Sequence, residues 1–558
     1  MLSNPQEWFH STKEKLSPSD ILTGLLDHGL FSDKVPACFT SIGLAKIASD
    51  TLKEIFEETD EAKLKKKIKP YSHDYIRYDA LRDINIPRHL GIPHPGSYAI
   101  QALALSKHWQ VIAEHCNQPD PSISRVHVRK MGSDSIFKMN YKGSERYQLE
   151  EDEINWMAGA QFVVKADVAS CYPSIYTHSI PWALHDKITT KKNQKITELA
   201  GNLLDKCTQN TRDGQTNGLL IGPHASSIIS EIILTKIDTD LQKKYKKIVR
   251  HIDDYTFFAD TFDEAEKFVK DLGLCLRSYE MSLNYKKTSI LPLPTPSVED
   301  WIHRINSFDF PKDQEIGFSK IRSFLDLALE CSRIAGKSTP LSYAIKILAG
   351  NTNSIKLNIR AKRLYVLEVM NMALVYPYLV PLLDKAVFDK YGHPGLADKV
   401  SKLSTSLIRL GVRKLYFDII AHAFYYALKH NVTLDLKDNE FIEIINLNDC
   451  ISNVMLFAYA TKHNLYEVIK EINNFGKLLK LADSREKDKN WLLIYQLWSV
   501  SELNGSGQKF LADLKSINFQ FLVVPQPVVE VETPDESIIS PLDSISIDNQ
   551  LVNVTEQK

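Results

Sequence analysis

The 558-residue sequence predicts an α+β protein whose C-terminal half is all-α. Three observations predict it. From Phe162 to about Phe310, short apolar runs rich in Val, Ile and Phe alternate with longer patterns of helical period. From about Phe318 to Phe521, in segments such as "KIRSFLDLALECSRIAG" and "RKLYFDIIAHAFYYALK", apolar residues recur at helical spacing, separated by glycines and asparagines. Within the first region, "FVVKAD" and "IVRHIDD" each run an apolar strand into aspartate, placing Asp167, Asp253 and Asp254 at strand ends.

Taken in order, residues 1–70 read as helices, including a charged one from Asp50 to Lys69 with a solvated face. The opening "MLSNPQEWFHSTKEK" lacks the basic-then-apolar layout of a signal peptide. Between Tyr71 and Ala160 the pattern is mixed. Pro87, Pro93 and Pro95 punctuate loops, a helix starts at about Gly96, and "RVHVRK" and "SIFKMNYK" read as short strands with outward basic residues. Gly218 and Gly222–Pro223 form a loop that leads into a helix over Ala225–Ile237. Ile248–Val249 and Tyr255–Phe258 flank the Asp253–Asp254 pair as a β-hairpin. After Phe521 the chain is rich in Pro, Ser and acids and reads as a disordered tail. The expected boundaries are 1–70, 71–165, 166–315, 316–520 and 521–558.

Composition fits a globular chain: 44% hydrophobic, 25% charged, net charge −1. The average hides a split. Residues 521–558 carry seven acids against Lys558, so residues 1–520 sum to +5, a mildly basic body that permits nucleic acid without demanding it. Seven scattered cysteines with no CxxC spacing fit reduced thiols in a cytosolic protein. No apolar run reaches the roughly 18–20 residues that span a bilayer.

An aspartate at the end of a buried strand is costly unless its charge is met. A capped strand end is the plain reading; a metal ion is the sharper one, and it needs partners. Carboxylates on neighbouring strands, bridging two Mg²⁺ ions about 3.5–4 Å apart, make a two-metal phosphoryl-transfer site. Adjacent acids on a strand point to opposite faces, so one of Asp253 and Asp254 meets Asp167 and the other stands behind it. Gly218 and Gly222 let backbone approach a nucleotide closely. Lys287, in "NYKKTS" after Asn284, is either a surface lysine or a triphosphate contact. The order strand–Asp167, glycine loop and helix, strand–Asp253–Asp254, then Asn284-x-x-Lys287-Thr288 is the order of motifs A to D in a polymerase palm.

Here the sequence resembles a known family. "SIYTHSIPWALH" after motif A, "GLLIGPHASSIISEI" as motif B, "LPLPTPSVEDWIHRINSF" after motif D and the fingers segment "RHLGIPHPGSY" resemble bacterial abortive-infection, defence-associated reverse transcriptases. The resemblance spans roughly Tyr71 to Phe310. It implies a right-hand polymerase: an N-terminal helical extension (1–70), fingers (71–165), a palm with motifs A to E (166–315) and, in place of a thumb, an all-α helical-repeat domain (316–520) before the acidic tail. It implies a cytoplasmic, bacterial DNA polymerase using two Mg²⁺ ions, with Mn²⁺ able to substitute, in antiphage defence.

Residue by residue, Asp167, Asp253 and Asp254 match the catalytic, metal-binding aspartates. Tyr172 matches the gate that rejects a ribose 2′-OH, and Tyr172, Gly222 and Lys287 form the nucleotide-binding set. Arg125, Arg129, Lys130 and Lys138 are candidates for the triphosphate grip. The usual tyrosine before the motif C pair is His251 here, and the usual glutamine before the motif B glycine is Ile221. Both departures weaken an assumption of ordinary templated copying. Partners implied are dNTPs, a DNA product that some members attach to the protein itself, a noncoding RNA template in others, and further copies of the chain as a homo-oligomer; no membrane is implied. The alternatives are a catalytically silent scaffold that binds nucleic acid or a phage protein, and an RNA polymerase or terminal transferase. Tyr416, Phe424, Tyr425 and Tyr426 are either base-stacking or core, and core is the stronger reading.

Overall fold

The structure, a computed structural model, describes residues 16–116, 151–296, 298–311, 314–350, 355–393 and 395–524. The segments "RVHVRK" and "SIFKMNYK", with Arg125, Arg129, Lys130 and Lys138, lie outside the described residues.

Period-two alternation builds the first sheet. In Tyr75–Asp83 (β1), Ile76, Tyr78 and Ala80 are buried and Arg77 is exposed. β1 pairs antiparallel with Ile86–Pro93 (β2). This hairpin corrects the expectation of loops at Pro87 and Pro93, since both prolines lie in β2. A two-stranded ribbon leaves each strand an edge on which no ladder N–H is needed, so proline is tolerated there. The helix expected from about Gly96 runs Pro95–Lys107, with proline at its first turn. The charged run 50–69 is two helices rather than one, Leu44–Phe56 and Glu61–Ile68. The Asp60 carboxylate accepts from Lys63 N at 2.8 Å and caps the second, so the chain breaks and restarts there.

The second sheet has four strands in the order β4–β5–β3–β6, every pair antiparallel. They are Phe162–Asp167 (β3), Ile248–His251 (β4), Asp254–Ala259 (β5) and Ser289–Pro292 (β6). Val163, Val164 and Ala166 of β3 are buried, which explains its near-continuous apolar run. The helix Phe262–Ser278 packs on β3 and β5. The helix expected over 225–237 extends over His224–Gln242 and is buried along most of its length.

From Glu315 on, the described residues are mainly helical, but Glu315–Ile316 (β7) pairs in parallel with Lys356–Leu357 (β8), so this half is not purely α. Successive helices pack in pairs: Phe318–Ala335 on Thr339–Gly350, and Leu396–Lys414 on Phe417–Lys429. Phe424, Tyr425 and Tyr426 are core, with the Tyr426 hydroxyl donating to the Val380 carbonyl; the Tyr416 hydroxyl donates to Asn85 of the β1–β2 turn.

This half folds back onto the first hairpin. Leu81 N donates to Asp418 Oδ2 at 2.8 Å, and Asp74 N donates to Asp488 Oδ2 at 3.0 Å. At the expected start of the tail, Phe521 is fully buried and Val523 N donates to Cys38 O at 2.9 Å; the rest of that segment, 525–558, lies outside the described residues. Among the described residues, His73, His94 and Asp488 are the one group of three ligand-type side chains whose atoms lie within 4.8 Å of one another. Hydrogen bonds already engage all three side chains. Gly96 N donates to His94 Nδ1, so His94 Nε2 carries the proton and donates to Gln508 Oε1 at 2.8 Å. Gln508 Nε2 then donates to Asp488 Oδ1 at 2.9 Å, and His73 Nδ1 lies 3.0 Å from the same oxygen. The group is a tie between the hairpin and the C-terminal helices.

Candidate active site

β3 and β5 place two carboxylates face to face: Asp167, the last residue of β3, is the cross-strand partner of Asp254, the first residue of β5. Asp253 lies not on a strand but in the β4–β5 turn, so opposite strand faces do not separate the pair. Its carbonyl accepts from Val168 N at 3.1 Å, which ties the turn to the chain just beyond β3. Burial above all, and then the charge of Asp167, pushes the Asp253 carboxyl above the usual carboxylate range. Burial, then the charges of Asp253 and Asp167, does the same to Asp254. The two groups are held where their negative charge is unwelcome.

The positive charge that answers them comes from two places. Lys287 Nζ stands 2.5 Å from Asp167 Oδ2. The turn that carries it wraps Asp167, with Asn284 N donating to the Asp167 carbonyl at 2.8 Å and Lys287 N to the Asn284 carbonyl at 3.0 Å. Arg88, exposed on β2, is near enough to oppose the rise at Asp253, as Lys287 is. Sequence reading missed Arg88 because it took this stretch for a loop, although Arg88 opens the segment "RHLGIPHPGSY" that it had already singled out.

Tyr172 lies half-buried beyond β3. Its hydroxyl is 3.2 Å from Ser227 Oγ, and burial pushes it up to about 12. The glycine loop is bonded to it: Leu219 N donates to the Tyr172 carbonyl at 2.8 Å, while Gly91 N of β2 donates to the Ile221 carbonyl at 3.0 Å. Gly222 has φ +123°, a region closed to other residues, and a Cβ there would come within 3.3 Å of Ser32. One loop thus joins the tyrosine to the first hairpin. Asp167, Asp254, Lys165, His251 and Lys287 line a cleft of about 470 Å³, within the usual size range of small-molecule sites.

The donor set suits a divalent ion. Three carboxylates offer hard oxygen ligands, and a lysine ammonium already occupies the place beside Asp167 where positive charge is needed. The three carboxylates do not gather within 4.8 Å of one another. Arg125, Arg129 and Lys130 lie outside the described residues.

Residues 107–322, less than half of the chain, match the family reverse transcriptase (RNA-dependent DNA polymerase). Asp167, Tyr172, Gly222, Asp253, Asp254 and Lys287 all fall inside the match, and domains of this family generally use divalent metal ions. No curated protein matches. Among solved structures, apo telomerase from Candida tropicalis truncated from its C-terminal domain is similar, at 14% identity and TM-score 0.28 over 44% of this chain and 56% of that one. The apo telomerase from Candida tropicalis gives 11% identity and TM-score 0.29 over 75% and 73%. Telomerase from Candida albicans in complex with a fragment of telomeric RNA gives 12% and 0.25 over 76% and 65%. This chain spans little more than half of the first of these, and at such scores nothing about its substrates follows from them. The family match carries the conclusion: the chain contains a reverse transcriptase domain, the domain of a DNA nucleotidyltransferase.

Proposed function

We propose that the chain is a defence-associated bacterial reverse transcriptase that adds dNTPs by phosphoryl transfer on two Mg²⁺ ions, with Mn²⁺ able to substitute. The observation that carries this reading is the pairing of Asp167 with Asp254 across β3–β5, with Asp253 in the adjoining turn and the Asn284–Lys287 turn closing over Asp167. In this reading Asp167, Asp253 and Asp254 hold the metals. Bound metal supplies an acidified attacking hydroxyl and a clamp on the triphosphate. Tyr172, braced by Ser227, faces the sugar; Gly222 and its loop set the floor beneath the incoming base; Lys287 exchanges Asp167 for a phosphate. Arg88, with Arg125, Arg129 and Lys130, grips the triphosphate from the fingers.

The defence role, the bacterial cytoplasm and the homo-oligomer draw on the motif resemblance. So do the two templating modes, a bound noncoding RNA or synthesis from a hydroxyl of the protein without a template. The test uses protein purified with its bound nucleic acid, incubated with Mg²⁺ and each labelled dNTP, then split between protease and RNase. Label released only by protease establishes protein priming. Synthesis abolished by RNase, with a repetitive product, establishes an RNA template. No incorporation by the wild type under any condition overturns the reading in favour of a silent scaffold.

A further inference from the structure

The catalytic turn contains a conformational anomaly. Ile252, the first residue between β4 and β5, has φ +59°. A single positive φ at the first position of a two-residue hairpin loop is the pattern of a turn that favours glycine there. For a β-branched residue a positive φ is strained. Something must hold it.

Directly behind the turn lies Arg250, fully buried on β4. Its guanidinium is saturated by carboxylates from the His224–Gln242 helix. Nε and Nη2 meet Asp238 Oδ2 at 2.8 and 2.7 Å, and Nη2 and Nη1 meet Glu231 Oε1 and Oε2 at 2.9 and 3.0 Å. Tyr255, beside Asp254, donates to Asp238 Oδ1 at 2.9 Å. Nη1 also donates to the Ile252 carbonyl at 2.9 Å. An arginine fork fixed at both acids has no freedom left, so the carbonyl it holds is fixed as well.

We propose that Arg250, clamped by Glu231 and Asp238, is the positioning residue of the catalytic hairpin: it holds the strained Ile252 peptide and so sets where Asp253 and Asp254 present their carboxylates. This rests on the reading of those aspartates as metal ligands. The same helix carries Ser227, the partner of Tyr172, one turn before Glu231. One element therefore registers the gate and the catalytic turn together.

Arg250→Lys keeps the charge but cannot hold both acids and the carbonyl at once. The test compares wild type, Arg250→Lys, Ile252→Gly and the double variant. It reads thermal unfolding, dNTP kcat and KM, and Mn²⁺ affinity by titration calorimetry without nucleotide. Arg250→Lys is expected to lower kcat about a hundredfold, the scale of an ångström-sized misplacement, with little change in KM for dNTP and weaker Mn²⁺ binding. Glycine takes positive φ without strain, so Ile252→Gly in the Arg250→Lys background is expected to restore part of both kcat and Mn²⁺ affinity. Wild-type kcat in a folded Arg250→Lys overturns the proposal. So does a loss that tracks unfolding alone and is not relieved by Ile252→Gly. If the wild type incorporates nothing, the calorimetry still decides. Mn²⁺ affinity that falls with Arg250→Lys and recovers with Ile252→Gly supports the clamp while the polymerase reading fails; equal affinity in all four proteins overturns both.

Discussion

Two groups of acids sit on either side of one β-hairpin, and the chain treats them in opposite ways. Behind the turn, Glu231 and Asp238 are buried and share the fully buried Arg250. Burial still lifts Asp238 above the usual carboxylate range, but the Arg250 charge opposes it. In front of the turn, the described cations that act on Asp167 and Asp253 are the solvent-facing Lys287 and the exposed Arg88. Where the charge serves the fold, the chain supplies its own cation and desolvates the whole cluster. In front, among the described residues, burial and neighbouring acids hold Asp253 and Asp254 above the usual carboxylate range beside a cleft, the arrangement that the proposed metal site requires. That asymmetry separates a structural ion cluster from a candidate metal site on one short stretch of sequence.

The largest expected effect breaks the front group. Asp253→Asn removes a proposed metal ligand and is expected to lower Mg²⁺-dependent dNTP incorporation by roughly a thousandfold or more, since a metal's charge stabilisation is several kcal/mol. The metal-free melting temperature should hold or rise, because the change removes a buried charge that Asp167 opposes. A marked fall in melting temperature would mean that Asp253 is structural, and the comparison would collapse.

The converse experiment breaks the rear group. Arg250→Met removes the cation that the buried Glu231 and Asp238 share and is expected to cost about 3–5 kcal/mol in denaturant unfolding. A triple change, Arg250→Met with Glu231→Leu and Asp238→Leu, should recover much of that stability, because a buried ion cluster can be replaced by apolar packing. It should not recover incorporation. Recovery of both would reduce the cluster to core filling.

Tyr172→Ala sharpens the comparison from the far end of the same helix. The ring is held by Ser227 beside the glycine loop. Its loss is expected to shift discrimination between dNTP and rNTP by roughly 10–100-fold with dNTP turnover largely kept, the range that one filled pocket volume commands. Competition assays with paired dNTP and rNTP check this; unchanged selectivity removes the gate assignment.

Much of this arrangement was legible in the sequence. The two apolar runs that end in aspartate needed only period and composition, and Gly218 and Gly222, both at positive φ, were readable as a turn. Asn284 and Lys287 were found by spacing, and the turn that carries them does wrap Asp167. The rear cluster was not seen, though its signal was present: Ser227, Glu231, Thr235 and Asp238 recur every three to four residues, a polar stripe inside an apolar helix, opposite an arginine amid strand residues. An arginine there reads as surface until something buries it. The first hairpin was missed because prolines usually argue against strands, and the 50–69 break because a run of lysines hides a single capping aspartate. The return of the C-terminal helices onto β1 was beyond reach, since it depends on contacts more than 300 residues apart in sequence, such as Leu81 with Asp418.

That joint holds a third way to settle a buried acid, and it gives the smallest prediction. Asp418 is fully buried, accepts from Leu81 N at 2.8 Å and from Ile419 N at 2.9 Å, and has no lysine or arginine at ion-pair distance among the described residues. Burial, then the charges of Asp449 and Asp79, lifts it to about 7. A carboxyl raised in the fold keeps a proton that the unfolded chain has already released. Below the ordinary carboxylate range both states are protonated and nothing is lost. As pH climbs from that range to about 7, folding must retain the proton or accept the buried charge, so this site's contribution to stability falls, and above about 7 the loss is complete. Asp449, lifted to about 6 mainly by burial, acts in the same sense. Asp418→Asn keeps the shape and one acceptor and removes the titration. The melting temperature of the wild type should therefore drop relative to Asp418→Asn by a few degrees between about pH 4 and pH 7. A difference that stays flat would mean that a cation reaches Asp418 after all, and the joint would then belong with the Arg250 cluster.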